Sequence, residues 1–505
     1  MHGEATLSSM HSSHSSTEYF SRAKEGLKTS LPFSFMLFGA SGHLAKLKIY
    51  PALYVLALKK RLPKDYAIIG FARSEMTEAA FREIVEVSIK KDFAEVNQNV
   101  INDLLAHTYY HCGQYDEKDS FDALKKRLET IEKDWGNKRV RLAYLSIPPV
   151  VFNDVLEHLS GSGIQEGVDF RCIVEKPVGS DLQSFEKVRS TLISCFREEE
   201  IYLLDHYLGK EAVRNIYYLR YANPVLETMF TNTLIHHIEI VADESDGLEG
   251  RAGYFEGTGT LRDFVQSHLL EILSLLTMHV HEEGNLRERR LRALEQIYLP
   301  PATTLDEIIV QGQYGPGVEG EKKVPGYSQE KDVRPGSRTN TFVAVKLSSR
   351  MAGWQGIPFY IRSGKRLAKK ETRISIQFQV PYAVGESGSP NRLDIILQGE
   401  AGMRLHLQTK MGGSEPTFRP LIMEDPLVCV GDCLPEHAVL LLEAIHGKKD
   451  WFLTFEEVRT AWKLMDPLQV HLDKPETPLP LYPAGSAQPA HAEQWIALDG
   501  IQWLS

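Results

Sequence analysis

At 505 residues the chain exceeds what one hydrophobic core supports, so two domains are the first expectation. Its 43% hydrophobic and 25% charged residues are those of an ordinary globular protein, and a formal net charge of -10 argues against a general nucleic-acid binder. No run of about 18 apolar residues occurs, so no membrane-spanning helix is expected.

Residues 1–30 are rich in Ser and His, lack an apolar core and carry Glu4 and Glu18 with no arginine before Arg22. That pattern argues against a secretory or organelle-targeting leader and predicts a disordered tail. Five scattered cysteines (Cys112, Cys172, Cys195, Cys429 and Cys433) form no C-x-x-C pair. They are expected to be reduced thiols of a cytoplasmic protein, with no metal site among them.

From Phe33 to Asp205 the periodicity predicts strands at 33–38, 66–71, 141–146, 170–174 and 201–204. Between the last two, Phe185, Val188, Leu192, Ile193 and Phe196 fall on one helical stripe. Such alternation implies a parallel sheet with right-handed crossovers. Directly after the first strand stands Gly39-Ala-Ser-Gly42-His-Leu-Ala45, a G-x-x-G-x-x-A form of the dinucleotide fingerprint. Gly39 permits the tight turn, Gly42 lets backbone approach a pyrophosphate, and the following helix offers free N–H groups to phosphate. At the end of the second strand, where NAD sites usually carry an acid, this chain has Arg73-Ser74. A cation and a hydroxyl suit a 2′-phosphate, which favours NADP with NAD as the weaker alternative; Arg73 as a plain surface residue is the competing reading.

Lys176, in Glu175-Lys176-Pro177, ends the strand 170–174, where a lysine can hydrogen-bond both a substrate hydroxyl and a cofactor. The segment Asp205-His206-Tyr207-Leu208-Gly209-Lys210 gathers an acid, an imidazole, a phenol and an ammonium around one glycine. It sits after a strand, where an open α/β sheet places its substrate, and His, Tyr and Lys are the donors a sugar phosphate requires.

Beyond residue 210 the strands predicted at 341–347, 373–380, 392–397 and 404–408 follow one another without helices, as in an antiparallel sheet. Helices are predicted at 261–278, 435–444 and 455–464. The Gly/Pro-rich stretch 312–336 reads as a long loop or arm, and 475–489 as a surface wrap. Asp263 and His268 open the helix at 261; a lone histidine there is more often a bonded core residue, but with a carboxylate it becomes a candidate general base. The expected fold class is an α/β N-terminal Rossmann-like dinucleotide-binding domain (31–205) plus a larger α+β domain with a mainly antiparallel sheet (206–505), to which the family resemblance described below assigns substrate binding and oligomerisation.

In this order, Phe38-Gly-Ala-Ser-Gly-His-Leu-Ala45, Glu175-Lys-Pro177, Asp205-His-Tyr-Leu-Gly-Lys210 and Leu261-Arg-Asp-Phe-Val-Gln-Ser-His268 resemble the glucose-6-phosphate dehydrogenases. Gly312-Gln-Tyr314, Trp354-Gln-Gly-Ile-Pro-Phe359, Ile361-Arg-Ser-Gly-Lys365 and Ala461-Trp462 extend the resemblance over about residues 33–475. The ending, with Trp495 and Asp499-Gly-Ile-Gln-Trp503, resembles bacterial members more than animal ones. The resemblance implies NADP-dependent oxidation of glucose 6-phosphate at C1 to 6-phosphoglucono-1,5-lactone, the first step of the oxidative pentose phosphate pathway. It further implies a homodimer or homotetramer, with no metal and no nucleic-acid or membrane partner. By the same resemblance His268 is the base and Asp205 its orienting carboxylate. His206, Tyr207 and Lys210 match the 6-phosphate site, with Lys365 and Lys370 closing the pocket from the second domain. Lys176, Glu244 and Asp263 match positions that bind sugar hydroxyls, and Lys48 one that reaches toward substrate or cofactor. Gly39, Ser41, Gly42, Arg73 and Lys176 would hold the dinucleotide.

Two departures stand out. The family has Asp where this chain has His43, a weaker helix-start residue when neutral and one opposed to the dipole when charged, so altered cofactor affinity is expected. In Pro435-Glu-His-Ala-Val-Leu the family's Tyr-Glu-Arg-Leu pattern is only partly kept, and Leu440, Leu441 and Leu442 suggest burial in an altered subunit contact. Two other readings stay open: an oxidoreductase of unphosphorylated sugars, and a cofactor-binding relative without catalysis.

Overall fold

A computed structural model describes residues 31–504 apart from 137, 249, 251, 381–388, 416, 428 and 430. The tail expected at 1–30 lies outside the described residues. The first sheet holds β1 (Phe33–Phe38), β2 (Tyr66–Ala72), β3 (Thr108–Cys112), β4 (Val140–Leu145), β5 (Asp169–Glu175) and β6 (Ile201–Leu204). All pair in parallel in the order β3-β2-β1-β4-β5-β6, the doubly wound arrangement whose switch point lies between β1 and β4. Every residue of β1, β2 and β4 is buried, which explains mainly apolar runs in place of alternation, the buried polar exceptions Ser34 and Arg141 both bonding Glu132. Sequence reading missed β3, whose Thr-Tyr-Tyr-His-Cys string offers no aliphatic run.

The second sheet contains β7 (Ile235–Asp243), β8 (Ile297–Tyr298) at its margin, and β9 (Ile309–Gly315). A small hairpin, β10 (Gly317–Glu319) with β11 (Lys322–Val324), stands apart from it. The large sheet then continues through β12 (Phe342–Ser349), β13 (Phe359–Gly364), β14 (Glu371–Phe378), β15 (Arg392–Gln398), β16 (Gly402–Lys410), β17 (Phe418–Pro426) and β18 (Leu481–Pro483). Its order is β17-β16-β15-β14-β7-β13-β12-β9-β18, antiparallel except where β7 meets β13 and β9 meets β18. The stretch 312–336 is therefore no simple arm: its start belongs to β9, and Tyr314 and Tyr327 are fully buried. Likewise 475–489 does not merely wrap the surface, because β18 adds to the sheet and buries Tyr482.

The helix expected at 261–278 forms, but Leu261–Leu269 winds in wider turns than the α-helix Leu270–Thr277 that continues it. Its first N–H groups are satisfied from outside, where Thr260 N (2.8 Å) and Leu261 N (3.3 Å) donate to Asn340 Oδ1. The helix Glu436–His446 lies against the helix Tyr50–Leu58 and the turn His206–Gly209. Leu440 and Leu441 are fully buried there within the one chain, so the expected subunit contact at these leucines is corrected: they are core. The helix predicted to end at 464 runs on as Phe455–Leu472, through Pro467.

The thiol expectation also changes. Cys429 and Cys433 are joined as a disulfide, their Cα atoms 5.7 Å apart, within the range such a bond requires. A turn through Gly431 folds the two together, which a search for C-x-x-C spacing does not anticipate. Among the described residues Cys112, Cys172 and Cys195 are free thiols.

Candidate active site

The turn after β1 is set by Gly39, at φ +82°, where a Cβ would collide with Ser146 O. Gly39 N donates to Phe71 O (3.0 Å) and Gly42 N to Gly39 O (2.8 Å), which ties the loop to the ends of β2 and of β1. The result is a cleft of about 470 Å³ lined by Gly39, Ser41, Gly42, His43, Arg73, Ser74, Tyr115 and Lys176, among others. Among the described residues a Cβ on Gly42 would meet only Gly39 backbone within 4 Å, so bare main chain faces the cleft. Arg73 lies with its guanidinium carbon 5.6 Å from the Tyr115 ring centroid. Bare backbone, a hydroxyl and one guanidinium over an aromatic ring fit a phosphorylated dinucleotide. His43 lines the same cleft and is exposed.

Neighbouring parallel strands β5 and β6 pair Glu175 with Leu204, so Lys176 and Asp205 emerge side by side. Asp205 is completely buried and saturated with partners. Its Oδ1 accepts from Tyr207 N (2.9 Å) and pairs with His268 Nδ1 (2.8 Å), while Lys176 Nζ stands 3.4 Å from Oδ2. Lys176 also donates to Ser267 O, on the widened turns that carry His268. One ammonium thus touches both elements of the pair and lines the cleft as well. Burial pushes the Asp205 carboxyl up, but His268, Lys176 and His206 outweigh it and hold the group far below the usual carboxylate range. An ionised Asp205 fixes the proton of His268 on Nδ1 and leaves Nε2 as the acceptor.

Aromatic packing locks the rest. The His268 ring stacks on Tyr207 (centroids 4.3 Å, 18°) and meets His206 edge-on at 4.7 Å. Burial, then His268, pushes His206 well below the ordinary imidazole value, so it is neutral near pH 7. Lys210 Nζ lies 3.6 Å above the Tyr207 ring, and burial brings it down to about 8 against the pull of Glu436 and Asp205. Asp205, His206 and His268 bring possible ligand atoms within 4.8 Å of one another. With Lys176 on one oxygen and His268 and Tyr207 N on the other, that carboxylate is committed to hydrogen bonds, which does not suit a cation.

The second sheet supplies a matching corner. Parallel strands β7 and β13 pair Asp243 with Gly364, so Glu244 and Lys365 follow together, with Nζ 2.5 Å from Oε2. Lys365 is buried and lies 4.9 Å from the Phe255 ring centroid. Asp263 accepts from Tyr254 Oη (3.2 Å). The remaining two lysines are placed differently. Lys48 Nζ pairs with Glu436 (3.1 Å), and Lys370 is about half exposed and pairs with Asp246 (2.6 Å). Sequence reading passed over Tyr115 and Tyr144, which belong to no local motif, and gave no role to Glu175, Glu436 and His437 although they lie in the strings Glu175-Lys176-Pro177 and Pro435-Glu-His.

Residues 36–215 match the family described as "Glucose-6-phosphate dehydrogenase, NAD binding domain", and residues 217–504 its "C-terminal domain". A glucose-6-phosphate 1-dehydrogenase of Chlamydia pneumoniae is 34% identical over 497 residues, covering 94% of this chain and 96% of the relative. One from Bacillus subtilis is 33% identical, covering 93% and 97%. A solved glucose-6-phosphate dehydrogenase in complex with its substrate glucose-6-phosphate superposes with a TM-score of 0.86 at 31% identity, over 95% of this chain and 99% of that one. The Mycobacterium avium enzyme gives a TM-score of 0.79 at 26% identity, over 94% and 99%. With motifs, paired sheets and relatives in agreement over nearly its whole described length, this chain belongs to the glucose-6-phosphate dehydrogenase family.

Proposed function

We propose that this chain carries out its family's reaction, oxidation of glucose 6-phosphate at C1 to 6-phosphoglucono-1,5-lactone, with NADP as the preferred acceptor and NAD as a weaker one. The observation that carries this is Lys176, which lines the dinucleotide cleft and touches both Asp205 and the backbone beside His268. That contact supports reading the acid–imidazole pair as neighbour to the cofactor.

In this reading His268 Nε2 takes the proton from the C1 hydroxyl, and Asp205 stabilises the imidazolium as it forms. The bound nicotinamide supplies the acceptor for the C1 hydride. The carbon loses a hydride and its oxygen a proton, so a carbonyl forms and the charges balance. His206, Tyr207 and Lys210 hold the 6-phosphate, a task suited to a half-buried ammonium against an aromatic wall. Lys176, Glu244 and Asp263 orient hydroxyls, and Lys365 and Lys370 close the pocket from the side of the second sheet. Lys48, fixed by Glu436, points charge toward substrate or cofactor, and Gly39, Ser41, Gly42 and Arg73 hold the dinucleotide, Arg73 at its 2′-phosphate. No step in this scheme calls for a metal.

The reading divides the chain at about residue 205 into a dinucleotide domain and a substrate and oligomerisation domain, and places the protein in the cytoplasm. A homodimer or homotetramer fits β17, which is exposed along its whole length and presents Leu421, Ile422 and Met423 at the sheet margin.

The test compares reduction of NADP and NAD with glucose 6-phosphate and with free glucose. Rapid turnover of the phosphorylated sugar with NADP is expected. Equal activity on free glucose would overturn the phosphate role of His206, Tyr207 and Lys210.

A further inference from the structure

The first turn of the helix Glu436–His446 carries two side chains that abut the site from behind. His437 is only 4% exposed. Its Nε2 stands 3.7 Å from Glu175 Oε1 and its Nδ1 3.7 Å from Glu436 Oε1. Glu175 is held in place by a hydrogen bond from the Tyr144 hydroxyl, and Glu436 by Lys48. The His437 ring is nearly parallel to that of His206, with centroids 6.0 Å apart at 13°. His206 in turn meets His268, so three imidazoles stand in file from the two glutamates to the base. The turn bearing His206 is pressed onto the same helix: a Cβ on Gly209 would meet Glu436 O at 2.5 Å.

We propose that His437 is a positioning residue for the phosphate end of the substrate, acting as a cation that lies between Glu175 and Glu436 and is stacked behind His206. The inference rests on the reading of His206, Tyr207 and Lys210 as the phosphate site. Two carboxylates around one buried imidazole favour its protonated form. Burial opposes that charge, but Glu175 and Glu436 outweigh it and raise His437 above the ordinary imidazole value. Glu436 is itself held far below the carboxylate range, first by His437 and further by Lys48, against burial. The groups facing this cluster are therefore Glu175 from β5, Tyr144 from β4, Lys48 from the helix after β1, and His206 and Lys210 from the phosphate turn. A cation behind His206 keeps that ring neutral while the site is empty of anion and adds attraction once a dianion arrives. The charge is present below the raised value and is lost as pH rises through it, so the support for phosphate fades in that direction.

The test uses sulfate, which stays dianionic across the range, as a competitive inhibitor against glucose 6-phosphate at constant ionic strength. His437→Gln should weaken sulfate inhibition and raise KM for the sugar phosphate by about tenfold at pH 6, with kcat held. The ratio to wild type should shrink toward one by pH 8.5. His437→Arg should match wild type at pH 6 and bind sulfate more tightly than wild type at pH 8.5. A pH-independent ratio for His437→Gln, or wild-type behaviour of both variants, reduces His437 to packing and overturns the proposal. If neither variant folds, Glu175→Gln decides the matter: the fall in affinity should move to lower pH, and an unmoved profile overturns it. Lys210→Ala and His206→Ala separate the two layers, because unchanged sulfate inhibition in those variants sinks the phosphate-site reading itself.

Discussion

His268 Nδ1 lies 2.8 Å from Asp205 Oδ1, although one sits on a wide-turned helix and the other follows the end of a parallel strand. Releasing the imidazole would leave Oδ1 of this buried carboxylate with Tyr207 N as its remaining hydrogen bond and would remove one of its two cationic neighbours, so the pair is expected to behave as one unit. Asp205→Asn keeps the shape but replaces the carboxylate proposed to orient His268 and stabilise its imidazolium. We expect kcat to fall by roughly 10²–10⁴, with KM for either substrate little changed. His268→Asn should fall as far, and the double variant no further, as expected for groups acting together. Full activity in Asp205→Asn would leave His268 without the role given to it.

Arg73 is held near the Tyr115 ring and lines the cleft proposed for the dinucleotide. A charge-assisted contact to a 2′-phosphate contributes about 1.5–3 kcal/mol. Arg73→Ala should therefore raise KM for NADP by roughly 10–100-fold while leaving KM for NAD nearly constant. Equal loss with both coenzymes would assign Arg73 to another part of the dinucleotide.

What the sequence discloses here is local. Strands β1, β2 and β6 are nearly continuous apolar runs, β4 and β5 are apolar runs interrupted by Arg141 and Arg171, and the glycine turn, the Lys-Pro strand end and the Asp205–Lys210 cluster are contiguous strings. They are legible because backbone geometry and side-chain order are written in neighbouring residues. Pairings across the fold are not. His437 reaches Glu175 only because the helix Glu436–His446 packs on the dinucleotide sheet, and nothing in either segment names the other. Leu440 and Leu441 read as buried in a subunit contact for the same reason, since the cover that the chain itself gives them comes from distant elements. The widened turns at Leu261–Leu269 keep nearly helical spacing, so the local pattern there predicts an ordinary α-helix.

Lys210 provides a pH test on the substrate side. Burial lowers it to about 8, so its charge is largely present near neutrality and disappears as pH rises through that value. KM for glucose 6-phosphate should climb across this interval by about tenfold, while kcat at saturation changes less. Lys210→Arg keeps its charge throughout and should flatten the rise, although the different fork geometry will raise KM at neutral pH. A rise of equal size in the arginine variant would place its origin elsewhere.

Glu271 tests the layer beneath His268. It sits one turn beyond His268, is 1% exposed, and its Oε2 has no hydrogen-bond partner among the described residues. Burial and then Glu457 push its carboxyl up to about 8, so the fold holds it protonated where an unfolded chain would ionise it. Folding therefore takes up a proton between the ordinary carboxylate range and about pH 8, and stability contributed by this group falls as pH rises through that window. Glu271→Gln removes the titration and keeps the shape. Its melting temperature relative to wild type should improve steadily from pH 5 to pH 8, by an amount on the order of 1–3 kcal/mol in stability. A difference that stays constant over this range would mean that Glu271 is ionised in the fold, paired with Lys176 or Arg290, and the carboxylate charge would then belong to the support of the site.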